Sequence, residues 1–312
     1  MIFQQTIEHM AVFFLVFGVG FAVARAGVVK EGHLPALAQV ITKVLLPAMI
    51  LYSTYASCTR QTIIDNWQMV LLAALFYAIV GLAMFALAKL MRIEHDKDRV
   101  FQLCFVFGNT GFVGIPLLAA VFPDAGLVYM MMFSIVDQLV FWTYGVWLST
   151  ERDHHHSAAS HISLRSLVTP NTVAIVVAVA FVMLEAPVPG IVEEALGTIS
   201  SATTGLCMLY LGALAGFSHV APILRRPELY VGIAVKMVAL PVVLGRALLL
   251  AGAFPEPMVG ALAIIMALPV MTVVPMLVAT NGKESDYATG ITVVTLVASI
   301  LTIPLVVFLV GL

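Results

Sequence analysis

This sequence is short of charge. Only 10% of its 312 residues are Asp, Glu, Lys or Arg, while 62% are hydrophobic. A water-soluble domain carries about a quarter charged residues, so this shortage excludes a free-standing soluble fold. Cysteine is also scarce. Cys58, Cys104 and Cys207 lie far apart with no paired spacing, which excludes a disulfide framework or a zinc site and leaves them as small apolar residues. No phosphate loop, nucleophile elbow or zincin motif occurs, so a nucleotide-driven pump or an enzyme is not expected, and neither is a cofactor or a nucleic-acid partner. Met1 to Met10 lacks a basic stretch and no small-residue cleavage site precedes Arg25; a retained first helix is expected rather than a cleaved signal peptide. The run His154–His156 with His161 has no carboxylate or cysteine at ligand spacing, so no metal is assigned to it.

What the chain has in abundance is long apolar runs. The mean hydropathy is +1.07, and runs of about 20 residues, the length that spans a bilayer core, follow one another with brief polar breaks. Lipid cannot satisfy backbone hydrogen bonds, so the runs must be helices. The expectation is an all-α membrane protein of ten transmembrane helices: 7–25, 33–56, 67–90, 99–121, 126–149, 168–185, 191–217, 229–251, 258–280 and 287–311. The hydrophilic stretch 150–165 then joins two five-helix halves, 1–149 and 166–312. Eleven cations fall in the loops after helices 1, 3, 5, 7 and 9: Arg25, Lys30, Lys89, Arg92, Lys97, Arg99, Arg152, Arg165, Arg225, Arg226 and Lys283. The opposite loops hold Arg60 alone. Positive loops stay cytoplasmic, which directs both termini outward.

An offset of 159 residues relates the halves, laying Pro116 over Pro275, Thr42 over Ser201 and Met49 over Met208. Five helices is an odd number, so the second half enters from the other side as an inverted repeat, a plan shared by many secondary transporters. Equivalent helices 4 and 9 both carry helix-breaking sequence. Helix 4 reads FGNTGFVGIPLL over 107–118, with Gly108, Gly111, Gly114 and Pro116. Helix 9 reads MALPVMTVVPML over 266–277, with Pro269 and Pro275. Either could be a packing kink. At matched positions they predict unwound segments near mid-depth, whose half-helix N-termini suit an anion.

The segments GNTGFVGIPLL, ALPVMTVVPMLVA and TGLCMLYLGALAG resemble the matching parts of the auxin efflux carrier family, from helix 1 to helix 10. The short central loop makes this chain look like a compact bacterial member of the kind associated with malonate and similar acids. The resemblance implies crossed helices 4 and 9 in a fold like the bile-acid and sodium–proton antiporters. It implies a scaffold of helices 1, 2, 6 and 7, a moving domain of helices 3–5 and 8–10, and elevator-like transport. It makes Asn109 the substrate amide, Pro116 and Pro275 the crossing prolines, and Gln138 with Trp142 a matching pair. Thr143 stands where plant carriers have a tyrosine near an aromatic ligand, which fits a smaller aliphatic acid. The expected binding residues are Asn109, Thr110, Gly111, Gln138, Pro269, Val270, Met271 and Thr272.

Charged residues at mid-helix are costly and are functional candidates. Asp137 is read as either a proton-coupling carboxylate or half of a structural pair, with Lys236 as its plausible partner or as an attractor for substrate. Lys43 and Arg246 are read as structural or interfacial. The function expected is secondary transport of a small mono- or dicarboxylate across a bacterial inner membrane, with protons as coupling ions and a homodimer formed through the scaffold. A sodium-coupled carrier of a bulkier anion and a membrane sensor that binds without transporting stay open.

Overall fold

The computed structural model describes residues 2–57, 59–94, 97–149, 170–218, 220–280 and 285–312. The joint at 150–165, its histidines, Cys58 and Lys283 lie outside the described residues. Among the described residues every regular element is helical. Seven helices among the described residues are long and apolar enough to cross a bilayer: Thr6–Arg25, Glu31–Ala56, Gln68–Leu90, Gly126–Ser149, Gly190–Phe217, Pro227–Ala251 and Asp286–Val310. Pro170–Met183 is apolar but shorter, at 14 residues. The expected helices 99–121 and 258–280 are each divided, into Lys97–Val106 and Thr110–Val121, and into Glu256–Ala267 and Val274–Thr280.

The interior is built on large apolar side chains, with Phe101, Phe105, Phe107 and Phe133 fully buried. The outside is apolar as well: Leu15, Leu82, Leu250 and Leu301 are each at least 70% exposed. Such a surface is stable against lipid tails and unstable against water. Because lipid gives little hydrophobic drive for helix association, close packing must supply it. Thr6–Arg25 therefore lies directly against Gly190–Phe217. A Cβ added to Gly20 would stand 2.2 Å from the Leu209 carbonyl oxygen, and one added to Gly212 would stand 2.0 Å from that of Phe17. In the matching arrangement, Pro170–Met183 packs on Leu46–Ser57.

Helix starts repeat through the chain. Glu31, Gln68 and Lys97 begin helices, and so do Gly190, Pro227 and Glu256, each 159 residues later. Wide π-turns at Ile41–Leu45, Thr110–Gly114 and Ile233–Ala239 come just before Pro47, Pro116 and Pro241. A proline cannot donate to the fourth carbonyl back and its ring crowds that turn. Widening the turn lets the helix continue.

Candidate functional site

The two divided helices meet at their breaks. Gly108 and Val270 pair as an isolated antiparallel bridge; the Asn109 amide donates to the Pro269 carbonyl at 2.7 Å, and the Met271 amide to the Phe107 carbonyl at 3.2 Å. Each break thus satisfies groups that the other would leave bare, as backbone at this depth requires. Gly108 is the residue that permits the approach, because a Cβ there would come within 3.2 Å of Leu268 Cβ.

Three side chains finish the crossing. Asn109 caps the half-helix Thr110–Val121, its Oδ1 accepting from the Phe112 amide at 3.2 Å. Thr295, on the last helix, accepts from the Val270 amide at 3.1 Å. Lys236, fully buried, donates from Nζ to the Leu268 carbonyl. That carbonyl lies just past the C-terminal end of Glu256–Ala267, where unpaired oxygens and the negative end of the helix dipole favour a cation. Beside the crossing, buried Asp137 receives hydrogen bonds from the Tyr77 hydroxyl and Thr110, and from Gln138 Nε2 at 3.4 Å. Gln138 in turn accepts from Trp142 Nε1 at 3.2 Å. Two polar atoms at the crossing are buried yet have no hydrogen-bond partner among the described residues: Asn109 Nδ2 and Thr272 Oγ1.

A cavity of about 650 Å³ leads from one surface to Thr272 and Pro275. One wall comes from Glu31, Leu34, Tyr210 and Leu214, and the other from Lys97, Arg226, Asp286, Thr289 and Thr292. At its mouth Lys97 bonds Glu94 at 2.6 Å, and Arg226 stands 3.9 Å from Glu94 and 4.0 Å from Glu228. The Lys97 ammonium holds the Glu94 carboxyl below the usual glutamate range. Tyr210, which lines the inner part of the cavity, packs against Phe112 of the capped half-helix with ring centroids 5.3 Å apart.

The profile of a family described as membrane transport protein matches residues 5–307. The chain belongs to that family. Among its relatives is a protein named as an uncharacterized transporter in Methanothermobacter thermautotrophicus, 26% identical over 219 residues and 70% of each chain. Another, similarly named, in Methanocaldococcus jannaschii, is 24% identical over 199 residues, which cover 62% of this chain and 64% of the relative. The curated names describe transporters and specify no substrate.

In this membrane transport protein the expected residues fall into three groups. Gly108, Asn109, Pro269, Val270 and Met271 form the crossing itself. Thr110, Asp137 and Gln138 cluster next to it, and Thr272 faces the cavity. Pro116 and Pro275 are not at the crossing. Pro275 stands in the first turn of Val274–Thr280, where a missing amide leaves no helical bond unmade, and Pro116 stands in the second turn of Thr110–Val121, just past the π-turn that takes up its missing amide. Gly111 and Gly114 are helical too, within the π-turn. Gly114 is there for packing, since a Cβ would meet Met130 Cε at 2.6 Å. The amides of Val270 and Met271 are occupied within the protein, so they are not available to a ligand in this arrangement. Asp137 and Lys236 do not pair with one another; each has its own partners. Thr143 lies on an exposed stripe with Ile135, Leu139 and Trp147, and its hydroxyl bonds the Leu139 carbonyl at 2.6 Å. It does not line the cavity, so it is silent on the substrate. Sequence reasoning missed Tyr77 and Thr295. Tyr77 was within reach, because it lies 159 residues before Lys236.

Proposed function

We propose that this chain is a secondary carrier of small organic anions, mono- or dicarboxylates such as malonate, working by elevator-type alternating access. The observation that carries the reading is the pair of partnerless buried donors at the crossing, Asn109 Nδ2 and Thr272 Oγ1. A buried polar group left unmet costs about 1–3 kcal/mol, and such groups persist where a ligand completes them. Both can donate, which suits a carboxylate. The cavity reaches Thr272 from the side that carries the positive loops, which supports a cytoplasm-facing form of the carrier. The recurrence of helix starts at 159 residues supports ten spans in two inverted halves. A scaffold of helices 1, 2, 6 and 7, its homodimer, and a plasma-membrane location with both termini outside belong to the same proposal. Proton coupling would use Asp137: a proton arriving there changes its bonds to Tyr77 and Thr110, and Thr110 is the neighbour of Asn109.

The test is accumulation in sealed vesicles holding the purified chain, with labelled mono- and dicarboxylates outside and a proton gradient imposed. Uphill uptake that a protonophore abolishes is the expected result. Binding without accumulation would replace the carrier with a sensor, and accumulation that follows a sodium gradient alone would remove Asp137 from coupling. Single cysteines placed at Val28 and Asp124, in a background lacking the native three, should label from opposite faces. Labelling from the same face would end the inverted topology.

A further inference from the structure

The two buried donors without partners, Asn109 Nδ2 and Thr272 Oγ1, both belong to the breaks. The cavity that reaches Thr272 is also lined by Tyr210, from the Gly190–Phe217 helix. Tyr210 is 3% exposed, and its ring is fixed from two directions. On one side it packs on Phe112, with ring centroids 5.3 Å apart and planes inclined at 31°. Phe112 is the residue whose amide donates to Asn109 Oδ1, so a single ring contact separates Tyr210 from the capped break. On the other side its own helix is seated against Thr6–Arg25. Gly212, two residues on, approaches that helix so closely that an added Cβ would stand 2.0 Å from the Phe17 carbonyl oxygen. The Tyr210 hydroxyl bonds no described residue. A buried tyrosine hydroxyl usually has a partner, and a buried donor left without one costs about 1–3 kcal/mol.

From this geometry we propose that Tyr210 is a substrate-binding residue, its hydroxyl donating to the carboxylate held at Asn109 and Thr272. The inference rests on the carrier reading given above and adds to it a donor from the scaffold side. The two breaks travel together, because they are bonded backbone to backbone. Tyr210 meets them through a ring contact, which can slide, while the packing around Gly212 ties it to a different helix pair. The bond to substrate is therefore made in this form of the carrier and broken when the crossing moves away. A neutral donor suits that task. A lysine or arginine would hold the anion through a stronger, charge-assisted bond and oppose the departure of the crossing.

The experiment uses the full chain, purified in detergent for binding and sealed in vesicles for exchange. The probes are malonate and propionate with their neutral amides, malonamide and propionamide. Tyr210→Phe keeps the ring on Phe112 and removes the hydroxyl. Binding of the acid should weaken by about tenfold or more, the worth of a hydrogen bond to a charged group, and that of the amide by only about threefold, the worth of a neutral one. Exchange at saturating acid should run faster than in the parent, because a bond made only in the bound form adds its own worth to the barrier. Parent-like affinity for the acid would overturn the role. So would slower exchange with acid and amide weakened alike, which marks a packing residue. A parent that binds neither acid would sink the carrier reading itself. If Asn109→Ala weakens acid binding and Tyr210→Phe does not, the crossing site stands and Tyr210 is no part of it. Should Tyr210→Phe fail to fold, 3-fluorotyrosine at position 210 decides: its fluorine resonance should shift when the acid is added, and a resonance that stays put overturns the contact.

Discussion

The two breaks do the same job by different means. The first, at Phe107–Asn109, is finished by its own sequence: glycine for the approach and asparagine for the cap, three residues before the amide it holds. The second, at Leu268–Thr272, has no such cap of its own. Its carbonyl at Leu268 is met by Lys236 from a neighbouring helix and its amide at Val270 by Thr295 from another. Tyr77 and Lys236 are related by the same 159-residue offset, yet one bonds a carboxylate and the other a backbone carbonyl. Positions one offset apart carry different chemistry. A locally capped break should tolerate loss of distant partners, whereas an externally supported one should not.

The largest effect should come from Lys236→Met, which keeps the bulk and removes the cation. A hydrogen bond from a charged group is worth about 1.5–3 kcal/mol, and the Leu268 carbonyl would be left without this donor. A loss of about 2–3 kcal/mol in unfolding free energy is expected, read by thermal denaturation in detergent. Tyr77→Phe, one offset away, should cost less of the second crossing because it serves Asp137. If the two variants lose the same stability and expose the same peptides to exchange, the asymmetry is wrong.

Next in size are the Asn109 variants, which separate folding from binding. Asn109→Ala removes the cap, at about 1 kcal/mol, and also removes the partnerless amide. Anion binding should fall about tenfold to a hundredfold, the equivalent of one charged hydrogen bond. Asn109→Asp keeps an acceptor for the Phe112 amide and adds negative charge at a helix N-terminus, which is favourable. Its stability should match or exceed the parent while anion binding is lost, because a carboxylate would face a carboxylate in a dry site. An Asp variant that binds labelled carboxylates as the parent does would move the anion site elsewhere.

This contrast also explains what could be read from the sequence. Among the described residues, seven of the expected spans are helices long and apolar enough to cross a bilayer, because apolar length is a local property, whereas 99–121 and 258–280 are divided. The first break was legible for the same reason: Gly108 and Asn109 announce it. The prolines misled, since both stand inside the half-helix that follows the break, Pro275 in its first turn and Pro116 in its second, behind the π-turn Thr110–Gly114. The partner of Asp137 was illegible. Charge alone suggested Lys236, but burial brings a tyrosine 60 residues away and an adjacent amide to the carboxylate instead. Thr143 shows the opposite failure, a residue singled out by analogy whose exposed face never meets the cavity.

The smallest effect concerns Thr295, where the second break leans most lightly on its support. The hydroxyl donates to its own helix at the Thr292 carbonyl, 3.0 Å away, and accepts from the Val270 amide. Thr295→Val keeps the shape and removes both bonds. The helix carbonyl loses only a supplementary donor, but the Val270 amide, fully buried, has no water to turn to. The penalty should be about 1–2 kcal/mol, and it should be local, since Val270 still pairs with Gly108 across the crossing. Thermal denaturation should therefore move little, while hydrogen exchange in the 266–277 peptide should speed up by about tenfold, the rate equivalent of that energy. Thr295→Ser retains the acceptor and should exchange as the parent does. If the Val variant protects this peptide as well as the Ser variant, the amide has found another partner. The second break would then be as self-sufficient as the first.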